Sequence, residues 1–242
     1  MDLRNEYIDR QADLLYNAFF YKHILENKYI KNFGHIDLKK KEHIYNSMIM
    51  NKHLEANFYM PERNSVVDTN LIDFLAKKEF DDLDKQISQL KENIEENDKE
   101  YERLMFFEKK NIKLKIKNIV AKASPTLNRN SKASLAWDKF IKALEESNWK
   151  RVFNIEANLS EFRMLKTKIS QDELEQEIDK IKRKNRCLHK RYPFNYEKIL
   201  DDDQVIEDKL AKEKKDIDHM KMSYEKMADI YLNTSGPSKW TS

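Results

Sequence analysis

Glycine occurs twice and proline four times in 242 residues, and cysteine once. Tight turns and sheets draw on glycine and proline for their special backbone angles, so so few of them leave room for only a handful of reversals. The lone Cys187 excludes an intrachain disulfide and fits a reducing cytoplasm. No run approaches the roughly 20 apolar residues that a spanning helix needs. The opening MDLRNEYIDRQADLL has no cationic start ahead of an apolar core, so no signal peptide is expected. Gly34 and Gly236 are too far apart to build a phosphate-cradling loop. The six histidines show no His-x-x-x-His spacing and there is no cysteine pair, so neither a metal nor a cofactor is expected. Asp201 to Asp203 read as carboxylates that complement a helix N-terminus. No arrangement of nucleophile and base stands out, and the chain is read as non-enzymatic.

What is present is helix-forming. Charged residues make up 37% of the chain and apolar ones 40%, with Glu, Lys, Leu and Ile at helical spacing. The expected class is all-α. Residues 2–33 read as one helix stopped by Gly34, and Asp37 as the cap of a second helix carrying Ile44, Met48 and Leu54. Met60–Pro61 breaks it. From Phe80 the apolar positions alternate steps of three and four (Phe80, Leu83, Ile87, Leu90, Ile94), and the pattern runs through Asn97 to Leu104: a coiled-coil seam. Such a seam calls for an antiparallel partner, the first two helices being nearest, or for a second copy. Ser170 and Glu173 form a capping-box pair ahead of another seam, Leu174, Ile178, Ile181, Asn185 and Leu188. A third begins at Ile206 and passes Leu210, Glu213, Ile217, Met220 and Tyr224. The segments expected are an N-terminal hairpin (1–70), a coiled-coil helix leading into a compact helical unit (71–169), a C-terminal hairpin (170–233) and a flexible tail (234–242).

Charge is unevenly placed. The net charge is only +3, too close to neutral for the whole chain to be a polyanion binder. Yet Lys109 to Trp137 contains eight Lys or Arg and no Asp or Glu. Ile112, Ile116, Ile119, Val120 and Ala123 make one apolar stripe in this stretch, and Ala133, Trp137, Phe140, Ile141 and Leu144 make a second. Pro125 ends the first helix near Ala123, and Ser131 is the expected cap of the second. Trp149, Val152 and Phe153 reopen a helix expected to pack back on this pair. Seven further cations lie between Lys180 and Arg191.

The helix pair, with its break Ala123-Ser-Pro-Thr-Leu-Asn128 and Trp137 behind it, resembles a J-domain. This is the module by which DnaJ-type co-chaperones engage a DnaK-type heat-shock ATPase; the likeness is to bacterial coiled-coil members, whose break reads Leu-His-Pro-Asp-Leu-Asn. Tyr29 to Gly34 and Tyr192 to Asp201 look like segments that flank such domains. The resemblance implies long antiparallel coiled-coil hairpins around a J-domain-like helical hairpin. It also implies a partner surface made of Lys109, Lys113, Lys117, Lys122, Ser124, Pro125, Thr126 and Asn128. Ser124 and Thr126 stand where the family has its His and Asp. The expected function is therefore an interaction or scaffold protein that does not stimulate the ATPase by the usual route. Two alternatives stay open: a nucleic-acid-associated helical protein using 109–132 and 180–191, and a co-chaperone that tolerates the altered tripeptide. The 109–132 run has no interleaved aromatics of the kind that single-strand binders use. Self-association through the seams is also compatible with the pattern.

Overall fold

The computed structural model describes residues 2–58, 69–128, 130–159 and 169–234. Among them there is no strand, and the all-α expectation holds. In chain order the helices are α1 (Leu3–Leu15), a π-helical turn (Tyr16–Tyr21), α2 (Lys22–Phe58), α3 (Thr69–Lys109), α4 (Ile112–Ala123), α5 (Ser131–Glu145), α6 (Trp149–Leu159), α7 (Gln171–Leu188), α8 (Glu197–Leu200) and α9 (Asp203–Thr234). The Met60–Pro61 break and the tail beyond Thr234 lie outside the described residues, as does the side chain of Leu54.

The helices sort into two compact units, one of residues 1–29 with 98–201, the other of 30–97 with 202–242. These units cut across the segments read from the sequence, and two expectations are corrected. Gly34 does not end a helix, and Asp37 caps none: α2 passes straight through both. The glycine is there for close packing, since a Cβ on Gly34 would sit 3.1 Å from the Ile94 side chain and 3.2 Å from that of Ile30. Nor do α7 and α9 fall into one unit; α7 lies along α1, while α9 meets α2 at Glu213 and Lys40.

In the unit of 30–97 with 202–242, α2 and α3 run antiparallel. Gly34 meets Ile94, Glu42 pairs with Lys91 at 2.9 Å and Tyr45 packs edge-on to Phe80, so contacts step down one helix as they step up the other. α9 runs the same way as α2: Lys209 lies over the Phe33 ring and Glu213 pairs with Lys40. The α3 seam is as expected, with Ile87 and Asn97 buried and the residues on its other face exposed. Ile206 and Ile217 mark the matching stripe of α9, whose start Asp202 caps by accepting from the amides of Gln204 and Val205. Ile44 is the exception: it is 43% exposed.

The other unit is organised around α1. Tyr7, Ile8, Ala12 and Leu15 are all buried, with α4 on one side and α7 on another. The run Ile8, Ala12, Tyr16, Phe20, Ile24 recurs every four residues, a spacing that drifts about 40° per step in an α-helix of 3.6 residues per turn. The wider π-helical turn at Tyr16–Tyr21 takes up that drift and keeps all five residues buried. Trp149 closes the core, fully buried and edge-on to Phe20 at 5.0 Å. Burial first, then the adjoining Glu108, pushes the Tyr16 phenol well up; it stays a donor, 2.9 Å from the Glu108 carboxylate.

Asn97 is 6% exposed and its Oδ1 has no partner among the described residues. An unmade hydrogen bond in a buried carbonyl costs about 1–3 kcal/mol. Asn97→Leu should therefore raise the thermal midpoint, measured by circular dichroism, while loosening the register that a polar seam residue fixes. A lower midpoint would mean that the carboxamide is satisfied by an ordered water.

Candidate functional site: the basic helix and the α4–α5 break

The basic stretch is not one continuous element. α3 ends at Lys109, Asn111 takes a left-handed conformation (φ 60°), and α4 starts afresh at Ile112. Lys109 is left exposed at the end of α3 and makes no ion pair among the described residues. The apolar stripe of α4 is wholly buried from Ile112 to Ala123, against α1 and α6.

That packing turns the α4 lysines toward acids of the same chain. Lys113 pairs with Asp13 at 2.8 Å, and Lys117 pairs with Asp9. Lys115 meets Glu156 at 3.0 Å, and Asn118 donates to the other oxygen of that carboxylate at 2.8 Å. Lys122 donates to the Leu159 carbonyl at 3.1 Å, satisfying an end group of α6. Exposed pairs of this kind contribute only about 0–1 kcal/mol each, so their weight is in register and in local charge, which they largely cancel. The acids Asp9, Asp13 and Glu156 were not singled out in the sequence. One signal was available: Asp9 and Asp13 are four apart, as are Lys113 and Lys117.

The break is closed in the same manner. α4 ends at Ala123 as Pro125 demands. The Ser124 side chain is fully buried, its Oγ 2.9 Å from the Tyr7 hydroxyl. Its carbonyl accepts from the amides of Leu127 (3.0 Å) and Asn128 (2.8 Å), which tightens the turn. Asn128, 7% exposed, donates to the Lys122 carbonyl and accepts from the Asn130 amide. Asn130 caps α5 through the Lys132 amide, one residue before the expected Ser131. Pro125 stands exposed and Thr126 partly so. Of the eight residues expected to face a partner, Ser124 and Asn128 are thus internal, Lys113, Lys117 and Lys122 are engaged within the chain, and Lys109, Pro125 and Thr126 remain outward. Behind the turn, α6 packs on both α4 and α5, as expected from Trp149 and Val152.

Among the described residues no group of His, Cys, Asp or Glu is placed to hold a metal ion. Compared with protein-family models, curated proteins and solved structures, the chain matches none.

Two measurements follow from this geometry. Ser124→Ala leaves the buried Tyr7 hydroxyl unpaired and should cost about 1–3 kcal/mol of stability. Tyr7→Phe in the same background should recover much of that loss, a coupling that a thermal-denaturation double-mutant cycle reads directly. Burial alone would raise the Glu156 carboxyl, but the Asn118 and Lys115 contacts outweigh it and hold the group below its usual range. A depressed carboxyl contributes stability that is present above its unfolded value, about 4.3, and is lost as pH falls through the lower folded value. Glu156→Gln should therefore flatten the acid limb of the stability curve below about pH 4.3.

Proposed function

We propose that the protein is a non-catalytic interaction scaffold whose α4–α5 hairpin is a J-like element that does not switch on a DnaK-type ATPase. The observation that carries this reading is the closure of Ser124 onto Tyr7, a fully buried side chain at the position where the resembled family presents its His. The neighbouring Thr126 offers no carboxylate to a cationic partner. Removing one partner of a desolvated charge pair costs about 2–5 kcal/mol, enough to abolish a contact that is weak to begin with. The lysines that would steer an acidic partner are matched in place by Asp9, Asp13 and Glu156. What α4–α5 leaves outward includes the tip at Pro125 and Thr126, Leu114 on α4 at 47% exposure, and the outer side of α5, where Leu135 is 56% exposed.

Single-turnover ATP hydrolysis by a DnaK-type ATPase is expected to run at the same rate with and without the natural protein. Thr126→Asp is the substitution the turn can accept, and should restore partial stimulation if the remaining hairpin surface still fits the ATPase. Ser124→His has no room beside Tyr7 and should lower the thermal midpoint by overpacking, at about 1–3 kcal/mol. Stimulation by the unmodified protein would instead make it a working co-chaperone and overturn the reading.

A further inference from the structure

Helix α7 and the turn after it are divided by charge. Asp172 to Asp179 carries five carboxylates and no cation, and Lys180 to Arg191 carries seven cations and no carboxylate. Unlike the α4 lysines, most of these cations make no ion pair among the described residues. Lys180 pairs with Glu177 at 2.7 Å, and Lys182 with Glu6 at 3.1 Å. Glu6 is shared, because Arg10 of α1 lies 3.7 Å from the same oxygen. Arg183, Lys184, Arg186, Lys190 and Arg191 make no ion pair among the described residues, and all are exposed. Arg10, Lys182 and Arg186 come together with Ile181 and Asn185 around a groove of about 400 Å³ between α1 and α7. Three cations there face one carboxylate.

The cationic stretch runs directly into an aromatic cluster. Tyr192 is 48% exposed and packs edge-on to Tyr29 at 5.4 Å and to Tyr196 at 6.2 Å, so two neighbours hold its ring in place. The nearby carboxylates are occupied: Glu197 accepts from Tyr21 and adjoins His189, and Asp201 pairs with Lys28. The order of acids first and cations last also suits the helix dipole. That accounts for α7 as a helix. It does not account for Arg10 arriving from a different helix, nor for a half-exposed tyrosine fixed at the cationic end.

From Lys180 to its end at Leu188 the helix extends about 12 Å, at 1.5 Å per residue, and Lys190 and Arg191 follow in the turn. Distributed cations meet phosphates, and a held aromatic ring stacks on an unpaired base, which a duplex does not offer. We infer that the cationic half of α7 and the turn after it, with Arg10 and Tyr192, is a binding surface for a short stretch of single-stranded nucleic acid. This surface is independent of the α4–α5 hairpin.

The test is fluorescence anisotropy of a labelled single-stranded oligonucleotide, a thymidine or uridine 12-mer, against the full chain over a range of salt. With about four phosphate contacts and a slope near 0.7 per contact, affinity should fall about 50-fold between roughly 50 and 200 mM salt. Arg186→Ala and Lys190→Ala should each reduce that slope by about 0.7. Tyr192→Ala should weaken binding roughly tenfold with the slope unchanged, and Tyr192→Phe should restore it. Lys113→Ala and Lys117→Ala should change neither. Circular dichroism checks each variant, and Arg183→Ala replaces any that fails to fold. No binding at low salt, or binding indifferent to the α7 substitutions, overturns the proposal. So does a result in which Arg186→Ala alters only the sedimentation of the protein, which would assign the face to pairing with the acidic half of a second copy. Equal affinity for a duplex of the same length overturns it as well.

Discussion

Packing from two sides needs a broad apolar face, and α1 supplies one, with Tyr7, Ile8, Ala12 and Leu15 withdrawn from solvent together and Glu6, Asp9 and Asp13 left at its edges to pair with lysines. Everything in its unit is arranged to cover it. α4 and α7 lie against it, Trp149 seals the core beyond its end, and the Tyr7 hydroxyl reaches into the turn after α4. A single apolar side chain of this kind contributes about 1.5–3 kcal/mol on full burial, far more than any of the surface ion pairs around it. The polar contacts set register; the burial supplies the stability.

The same division explains what could be read from residues alone. A helix that buries one stripe announces it, and the seams of α3, α7 and α9 are laid out as their three-four spacing requires, from Ile87 through Ile181 to Ile217. α1 and the turn after it bury more than one stripe, so their period is blurred: Ile8, Ala12, Tyr16, Phe20 and Ile24 are buried at steps of four, and Tyr7 and Leu15 are buried beside them. Gly34 was misleading for a related reason. Glycine marks a helix end by its backbone freedom, but it serves close approach by its missing side chain, and only the position of Ile94 tells the two apart. At the α4–α5 break the helix ends were legible from Pro125, whereas the inward turn of Ser124 and Asn128 was not. That depends on Tyr7, 117 residues away.

Charge follows an equally physical rule. The lysines of α4 project beside a helix that offers Asp9 and Asp13 at the matching spacing, and the charges of Lys113 and Lys117 are matched where they arise. Among the described residues, the Lys and Arg side chains from Lys180 to Arg191 pair only with Glu177 and Glu6. Two stretches that look alike as strings of Lys and Arg thus differ in the potential they present to solvent, because their neighbours across the fold differ.

The wide separation of partners across the α1 unit governs when in synthesis it can form. Tyr7 meets Ser124 across 117 residues, and Asn17 meets Asn185 across 168. Helical proteins usually fold from near neighbours and do so quickly, whereas closing long loops exacts chain entropy before any contact repays it. On a ribosome α1 would emerge ahead of α4 and α7 with its apolar face uncovered, and it would stay so until both had been made. At about 5–20 residues per second, the wait from Leu15 to Ile181 lasts roughly 8 to 33 seconds. A nascent helix left open for that long is a surface that chaperones and proteases can reach.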